Sequence, residues 1–262
     1  MSSPSELCIV GIIGGSGFED LILGDDHEGK WKKRGGGIQI FSGKCIGGKK
    51  VVFLPRHGPS HERLPHELNH AHNIAALKAE GVNVILASTA VGSMNPGMRP
   101  GDLVLLDQFI DLSKSHHTTI SGCVRHIDMT NPFCEGLREL ILDSAKSMRL
   151  RIHAKGTYVS VSGPRYETRA EITAFRRLGG DVVGMTVAPE ASIAREEGLC
   201  YAPLATVTNL AAGISREKLS HDDVVRIMGE NKEKVKCLFK DVINRIPLGW
   251  NCDCCGGSKE EQ

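Results

Sequence analysis

The stretch Cys8–Asp20, CIVGIIGGSGFED, decides the fold class. It begins as a short apolar run and continues as a turn of small residues with one hydroxyl group, on Ser16. A dinucleotide-binding fingerprint needs glycine where Asp20 stands, and a P-loop needs Gly-Lys where Ser16-Gly17 stand. What remains is a buried strand followed by a glycine-rich turn, which is where α/β proteins often hold phosphate.

Length and composition fit one sizeable globular domain. The chain has 262 residues, of which 40% are hydrophobic and 24% charged, with a formal net charge of +1. These values exclude a fibrous or disordered protein and give no support for nucleic-acid binding. No apolar run approaches the roughly 20 residues of a membrane span, and the first residues, MSSPSELC, lack the basic and apolar regions of a signal peptide. We therefore predict a cytoplasmic protein without a membrane partner.

Strand-like and helix-like segments alternate, which predicts a single-domain α/β sandwich over residues 1–247, followed by a Cys-rich tail at 248–262. The predicted strands are Leu7–Ile13, Lys50–Leu54, Val82–Ala90, Asp102–Ile110, Gly156–Ser162, Val182–Met185 and Leu199–Val207. The predicted helices are Pro65–Glu80, Glu135–Met148, Arg169–Leu178, Pro189–Glu197 and His221–Ile246.

The tail carries three cysteines in four residues, Cys252, Cys254 and Cys255. A tetrahedral zinc site needs four ligands, usually in two separated pairs, and the sequence indicates no second pair. We therefore predict no metal site, and a disulfide or a disordered reduced tail remain the alternatives. The other six cysteines are scattered, and we expect them to be reduced, as in most cytosolic chains.

Several polar groups follow the predicted strands, at the sheet edge where such folds place their ligands. These groups are Ser16, Arg56, His57, Thr89, the backbone at Ala90, Met185 and Thr186. A guanidinium, an imidazole, three hydroxyls and turn amides, with no acid among them, suit an oxyanion. Taken singly, Ser16 and Thr89 are more often turn residues, and Arg56-His57 also fits a surface pair. Their convergence favours phosphate.

Eight motifs in order resemble the trimeric purine nucleoside phosphorylase and methylthioadenosine phosphorylase family. They are GIIGGSGFED (11–20), FLPRHGPSH (53–61), PHELNHAHNIAALKAEG (65–81), STAVGSMNPGMRPGDLVLLDQFID (88–111), HIDMTNPFC (126–134), SGPRYETRAEI (162–172), DVVGMTVAPEASIARE (181–196) and TNLAAG (208–213). The resemblance implies a nucleoside phosphorylase-like three-layer sandwich with a mixed central β-sheet. It also implies phosphorolysis of a nucleoside to a purine base and ribose 1-phosphate or a 5-substituted analogue, with inorganic phosphate as co-substrate and no cofactor.

The resemblance also implies roles for individual residues. Phosphate would be bound by Ser16, Arg56, His57, Thr89, Ala90 and Thr186. The sugar would pack on Met185, the base would stack on Tyr166, and His126 would reach into the site of a neighbouring subunit in a homotrimer or a dimer of trimers.

Two positions bear on the base. Glu167 is an acceptor as a carboxylate and suits N1–H of a 6-oxopurine, while the amide of Asn209 can donate to O6 and N7. Methylthioadenosine enzymes carry serine and aspartate at these positions, so the sequence favours inosine and guanosine. A helix-capping role for Glu167 and a turn role for Asn209 are the alternatives.

Other features leave alternatives open. His221 matches a histidine that binds the 5′-hydroxyl, yet it is equally an ordinary first helix residue. S-methyl-5′-thioinosine and S-methyl-5′-thioadenosine therefore remain alternative substrates. His66–His70 spells HExxH, a zinc-protease motif, but no third ligand is apparent. A hydrolytic nucleosidase and a non-catalytic binding module are the remaining alternatives.

Overall fold

A computed structural model of the chain describes residues 8–16, 29–113, 126–215, 220–252 and 254, except for the side chains of 44 and 45. The strands are β1 (Val10–Gly14), β2 (Lys30–Arg34), β3 (Ile38–Ile46), β4 (Lys49–Pro55), β5 (Val84–Ser93), β6 (Leu103–Leu105), β7 (Gln108–Asp111), β8 (Ile152–His153), β9 (Thr157–Ser160), β10 (Val182–Gly184) and β11 (Cys200–Leu210). The α-helices are α1 (His70–Ala79), α2 (Glu135–Ser147), α3 (Arg169–Arg177), α4 (Val187–Glu196) and α5 (His221–Arg245).

The strands form one mixed sheet, which runs β2-β3-β4-β1-β5-β10-β9-β7, with β11 beside β5 and followed by β6 and β8. The centre is parallel: β1 pairs with β4 and β5, and β5 pairs with β11. The β2-β3-β4 meander, the β5–β10 pair and the β11–β6 pair are antiparallel.

Both faces of the central sheet are covered by helices, because its strands are apolar on both sides. Along β5, Val84 and Leu86 join the core beneath α2 and α5, whereas Ile85 and Ala87 join the core beneath α1 and α4. This alternation produces three layers, helix, sheet and helix. The predicted fold class, a three-layer sandwich with a mixed sheet, is confirmed.

The long strand β5 creates the opening in which the site lies. On one edge it pairs with β1 over residues 84–87 and with β10 over residues 92–93. Between these two ladders, residues 88–91 pair with no other described strand on that edge. Backbone groups at the middle of a central strand are thus turned toward the place where β1 and β4 end.

Some predicted boundaries are wrong for identifiable reasons. The single strand predicted at 102–110 is two strands, since the chain crosses from β11 to β9 at Asp107, whose carboxylate accepts a hydrogen bond from the Gly156 amide. The helix predicted from Pro65 begins at His70, where Asn69 caps it by accepting from the His72 amide. Strands β2, β3 and β8 were not predicted. The edge strand β2 reads KWKKR, and its charges protect the sheet edge from pairing with other chains but do not resemble the apolar pattern of a strand.

None of the helices among the described residues is both long and apolar enough to cross a membrane. The predicted domain boundary at residue 247 remains a prediction. Residues of the predicted tail nevertheless pack on the main core: Trp250, Cys252 and Cys254 lie against it. Cys123 and Cys255 lie outside the described residues.

Candidate functional site

A cavity of about 390 Å³ lies where β1, β4, β5 and β10 end. The predicted site residues that line it are Ser16, Arg56, His57, Thr89, Ala90, Tyr166, Glu167, Met185, Thr186, Asn209 and His221. The cavity therefore brings together residues from seven separate segments of the sequence. It joins the predicted phosphate groups to the predicted base groups in one space.

Arg56 lies at the inner end of the cavity and is only 1% exposed. Its Nη1 donates to the Ser88 carbonyl at 2.8 Å and its Nη2 to Oε2 of Glu190 at 3.0 Å, while Nε donates to the other Glu190 oxygen. Burial, the largest single influence, raises the pKa of Glu190, but the charge and hydrogen bonds of Arg56 together with the neighbouring His70 outweigh it and lower that pKa to about 2. These contacts use three of the five guanidinium hydrogens, so Arg56 keeps two for a ligand.

His57 is the second basic group at this end, and it is neutral. Burial and then the charge of Arg56 lower the pKa of His57 to about 4. Its Nδ1 lies 2.9 Å from the Arg63 carbonyl, which can only accept, so Nδ1 carries the hydrogen and Nε2 is the acceptor of the ring. A neutral His57 can therefore accept a hydrogen bond from a protonated oxygen of an anion.

Small residues and a helix terminus complete this inner end of the cavity, which we call the anion end. A Cβ atom on Gly15 would lie 2.6 Å from Nη1 of Arg56, so a larger residue would displace the guanidinium. Thr186 is the N-cap residue of α4, and its side chain makes no capping bond. The hydroxyl of Thr186 is thus at the cavity beside the positive end of a helix dipole, which favours negative charge.

The outer end of the cavity lies on the loop before α3. Glu167 is half-buried, and burial is the main cause that raises the pKa of its carboxyl. The capping role that was the alternative for Glu167 belongs to other residues: Thr168 is the N-cap of α3 and Glu171 completes the capping box. Tyr166 beside it is 37% exposed.

Asn209 is directed by a bulge in β11, where the pairing with β5 shifts between Val207 and Asn209. Its Oδ1 accepts from the Thr208 hydroxyl at 2.9 Å, and its Nδ2 donates to the Leu210 carbonyl at 3.1 Å. These two bonds orient the amide and leave one Nδ2 hydrogen to donate. Gly92 makes room, since a Cβ there would lie 3.2 Å from Nδ2.

Met185 and His221 also line the cavity. Gly163, at φ 66°, packs against Met185, where a Cβ atom would lie 2.3 Å from the sulfur. His221 is the first residue of α5, after the N-cap Ser220. The ring of His221 is 6.2 Å from that of His61, which stacks on His57 at 4.6 Å.

Two further expectations concern histidines that do not line this cavity. His126 is exposed and is not among the residues that line this cavity, so its expected contact with a neighbouring subunit stays a prediction. The HExxH residues do not share one helix, because His66 lies in a short 3-10 turn and His70 begins α1. That break removes the i, i+4 spacing that the zinc-protease motif requires.

The expectation that the tail cysteines lack a second pair is wrong. Cys134 and Cys200 lie beside Cys252 and Cys254, and the four sulfur atoms are all within 4.8 Å of one another. The second pair escaped the sequence analysis because its members are 66 residues apart in the chain and meet only in the folded sheet.

Two residues of the site were missed as site residues. Glu190 orients Arg56, and its signal in the sequence was an acid within the apolar run VAPEASIA, which must find a buried partner. His61 lines the cavity at positive φ, an unusual backbone conformation that no residue pattern indicated.

The fold and the cavity define an enzyme of the nucleoside phosphorylase class, and comparison with known proteins agrees. Residues 9–244 match the family model of the Phosphorylase superfamily, and the chain belongs to this superfamily. Over 254 residues the chain is 44% identical to the 6-oxopurine nucleoside phosphorylase of Pyrococcus furiosus, and the aligned region covers 94% of this chain and 96% of that protein.

Relatives named for a different substrate, S-methyl-5′-thioadenosine, have nearly the same sequence identity to this chain. The S-methyl-5′-thioadenosine phosphorylase of Thermofilum pendens is 42% identical over 250 residues, with 94% of this chain and 95% of that protein covered. The solved structure of methylthioadenosine phosphorylase from Schistosoma mansoni in complex with adenine has a TM-score of 0.83 at 32% identity, covering 90% of this chain and 91% of that one. The predicted family and the predicted enzyme class, a purine nucleoside phosphorylase, are confirmed.

Proposed function

We propose that this chain cleaves the 6-oxopurine nucleosides inosine and guanosine with inorganic phosphate, releasing the base and ribose 1-phosphate. One observation carries the proposal: a single cavity is lined both by Arg56 and Thr186 and by Glu167 and Asn209. The similarity to a 6-oxopurine nucleoside phosphorylase supports it.

Phosphate is held at the inner end in this proposal. Arg56 donates two hydrogen bonds to the phosphate through its remaining N–H groups. The hydroxyl groups of Ser16, Thr89 and Thr186 and the backbone amide at Ala90 donate further hydrogen bonds. The Nε2 atom of His57 accepts a hydrogen bond from the protonated oxygen of the phosphate. Because Glu190 and Ser88 fix Arg56 before phosphate arrives, little reorganisation is needed when it binds.

The glycosidic bond breaks through a cation-like sugar centre, which the phosphate dianion stabilises before it bonds to the anomeric carbon. Met185 packs under the sugar and Tyr166 stacks on the base. The electrons of the broken bond move to the purine. There the Nδ2–H of Asn209 donates a hydrogen bond to N7 or O6, and the Glu167 carboxylate accepts a hydrogen bond from N1–H. The leaving base is thus stabilised at the atoms where negative charge accumulates.

Inosine incubated with and without phosphate tests the reaction. We expect hypoxanthine release only with phosphate, with stoichiometric ribose 1-phosphate. Release without phosphate would identify a nucleosidase, and the absence of release from inosine, guanosine, adenosine, methylthioinosine and methylthioadenosine would identify a binding module. Either outcome contradicts the proposal.

The alternative substrates are S-methyl-5′-thioinosine and S-methyl-5′-thioadenosine, which the names of other close relatives favour. Against them, His221 and His61 give the cavity wall near α5 two polar rings, which suit a 5′-hydroxyl better than a methylthio group. We expect His221→Leu to lower kcat/KM for inosine more than for methylthioinosine. Equal losses would remove the 5′-hydroxyl role from His221.

The proposal also covers the oligomeric state, the need for a cofactor and the cellular role. We place His126 at the site of a neighbouring subunit in a homotrimer or a dimer of trimers, supported by its exposed position outside the cavity of its own subunit. The reaction needs no cofactor, because phosphate is a co-substrate. We also propose a role in purine salvage, supported by the chemistry, and a cytoplasmic location, supported by the composition. The mass of the native protein in solution tests the assembly.

A further inference from the structure

Four cysteines meet at one place on the surface of the main core, away from the residues that line the cavity. Cys134 is 2% exposed and Cys200 is 0% exposed, while Cys252 and Cys254 are half-buried. The sulfur of Cys252 lies 2.9 Å from that of Cys200, 3.7 Å from that of Cys134 and 2.6 Å from that of Cys254. Each thiol therefore has several sulfur neighbours rather than one partner.

Four sulfur atoms gathered within 4.8 Å of one another supply the complete ligand set of a tetrahedral metal site. Zinc binds thiolates at about 2.3 Å, which places the sulfur atoms of a tetrahedral site about 3.8 Å apart. The Cys134–Cys252 and Cys200–Cys254 separations, 3.7 and 3.5 Å, are close to this value. The Cys252–Cys254 and Cys200–Cys252 separations, 2.6 and 2.9 Å, are shorter and must lengthen when an ion binds. Two disulfides would use the four sulfurs as pairs, whereas one ion at the centre contacts all four as thiolates, and metal content distinguishes the two.

The surroundings of the cluster are built for negative charge. Trp250 donates its indole N–H to the sulfur of Cys200 at 3.1 Å, a bond that a thiolate accepts better than a thiol. Arg195 donates to the Cys254 carbonyl at 3.1 Å and to the Asn131 carbonyl at 2.8 Å. An N–H donor on a sulfur and a cation at the ligand backbone are outer contacts that support metal-bound cysteines.

The cluster joins three distant parts of the chain. Cys134 is the N-cap of α2, Cys200 begins β11, and Cys252 and Cys254 follow α5. A cross-link here would fasten the C-terminal segment to the main core, where Trp250 already packs against Gly136. This placement indicates a structural site with all four positions taken by protein, not a catalytic site with an open position.

We propose that Cys134, Cys200, Cys252 and Cys254 bind one structural Zn²⁺ ion per chain, in a site of four thiolates. The thiols lose their protons as the ion binds, so occupancy increases with pH. The site is independent of the proposed reaction, because no cysteine of the cluster lines the cavity. It replaces the sequence-based expectation that the chain holds no metal.

Metal analysis of untagged full-length protein, purified without chelators and with a non-thiol reductant, tests the proposal. We expect one zinc per chain in the wild type and loss of that zinc in the double variant Cys252→Ser, Cys254→Ser. Two controls should keep it: Cys237→Ser, which changes an exposed cysteine on α5, and His66→Gln, which disrupts HExxH. Loss of zinc in His66→Gln but not in the cysteine variant would overturn the assignment.

A second measurement does not depend on any variant folding. Wild-type protein stripped of metal and titrated with Co²⁺ should gain sulfur-to-cobalt charge-transfer absorption and intense tetrahedral visible bands, saturating at one ion per chain. Added Zn²⁺ should remove both. Absence of these bands in the fully reduced protein, disulfides within the cluster in the protein as purified, or iron in place of zinc would contradict the proposal.

Discussion

The two ends of the cavity are constructed differently. The anion end is formed by strand termini and a buried ion pair, and Arg56 there is almost fully enclosed. The base end is formed by the loop before α3 and by a bulge in β11, with Tyr166 more than a third exposed. The enclosed end suits a ligand that never changes, inorganic phosphate, and the open end suits the part of the substrate that differs between family members.

This difference predicts that stability depends on the anion end and selectivity on the base end. Variants at the anion end should lower the free energy of unfolding together with activity. Variants at the base end should change the ratio of kcat/KM values between substrates while the fold is unaffected.

Glu190→Gln should have the largest effect, because it leaves the enclosed guanidinium of Arg56 without its counter-charge. Removing one member of a buried ion pair costs about 3–5 kcal/mol of unfolding free energy. We also expect KM for phosphate to rise, since Arg56 loses the group that orients it. Denaturant unfolding and phosphate-dependent kinetics measure the two effects.

The matched control for Glu190→Gln is Glu230→Gln, which removes an exposed carboxylate from the Arg226–Glu230 pair on α5. Solvent-exposed pairs of this kind contribute little to stability, so the unfolding midpoint should stay at the wild-type value. Equal losses in the two variants would show that the buried pair is not the reason for the stability of the anion end.

The double variant Glu167→Ser, Asn209→Asp should shift preference from 6-oxopurines toward 6-aminopurines. Each mismatched buried group costs about 1–3 kcal/mol, or one to two decades in selectivity. The measurement is the ratio of kcat/KM for inosine to that for methylthioadenosine, with KM for phosphate as the internal control. An unchanged ratio would contradict the base-binding roles of both residues.

His57 should make the folded state sensitive to acid. Its pKa of about 4 lies below the ordinary value of 6.5, because burial and Arg56 oppose its charge. Between these values the unfolded chain binds a proton that the folded chain does not, so the free energy of unfolding falls as pH is lowered from about 6.5 to about 4. This contribution is fully present above pH 6.5.

Denaturant unfolding of the wild type and of His57→Asn at about pH 7 and about pH 4.5 measures this dependence. The variant should lose less stability than the wild type over the same interval, by on the order of 1–3 kcal/mol. Glu190 adds its own loss below its ordinary pKa of 4.5, where the unfolded chain binds a proton that the folded carboxylate, with a pKa of about 2, does not bind. Parallel curves for wild type and variant would show that His57 titrates alike in both states.

The anion end could be predicted from sequence more completely than the base end. Ser16, Arg56, Thr89 and Thr186 each follow an apolar run, and the edge where parallel strands end is a general property of such sheets. Glu167 and Asn209 came only from motif resemblance, because a loop conformation and a strand bulge have no periodic signal.

Long-range partners were the hardest to predict. Strand β2 was hidden because its cations belong to an edge strand, while two of them, Lys32 and Arg34, also pair with the buried Glu80. Lys50 of β4 reaches the same carboxylate. The meeting of Cys134 and Cys200 with the C-terminal cysteines depends in the same way on sheet order. Residue pattern indicates which face of an element is buried, but not which element covers it.

Gly92→Ala should have the smallest effect and tests how finely the base end is positioned. A Cβ atom at Gly92 would lie 3.2 Å from Nδ2 of Asn209 and 3.4 Å from Cγ1 of Val183, so the carboxamide must move by a few tenths of an ångström. We expect kcat/KM for inosine to fall roughly 3- to 10-fold, about 1 kcal/mol, with KM for phosphate unchanged. Gly229→Ala on α5, where a Cβ meets nothing within 4 Å, is the control and should keep wild-type kinetics. If Gly92→Ala instead raised KM for phosphate as much as it lowered nucleoside efficiency, the two ends of the cavity would be one coupled unit, and the division between stability and selectivity would not hold.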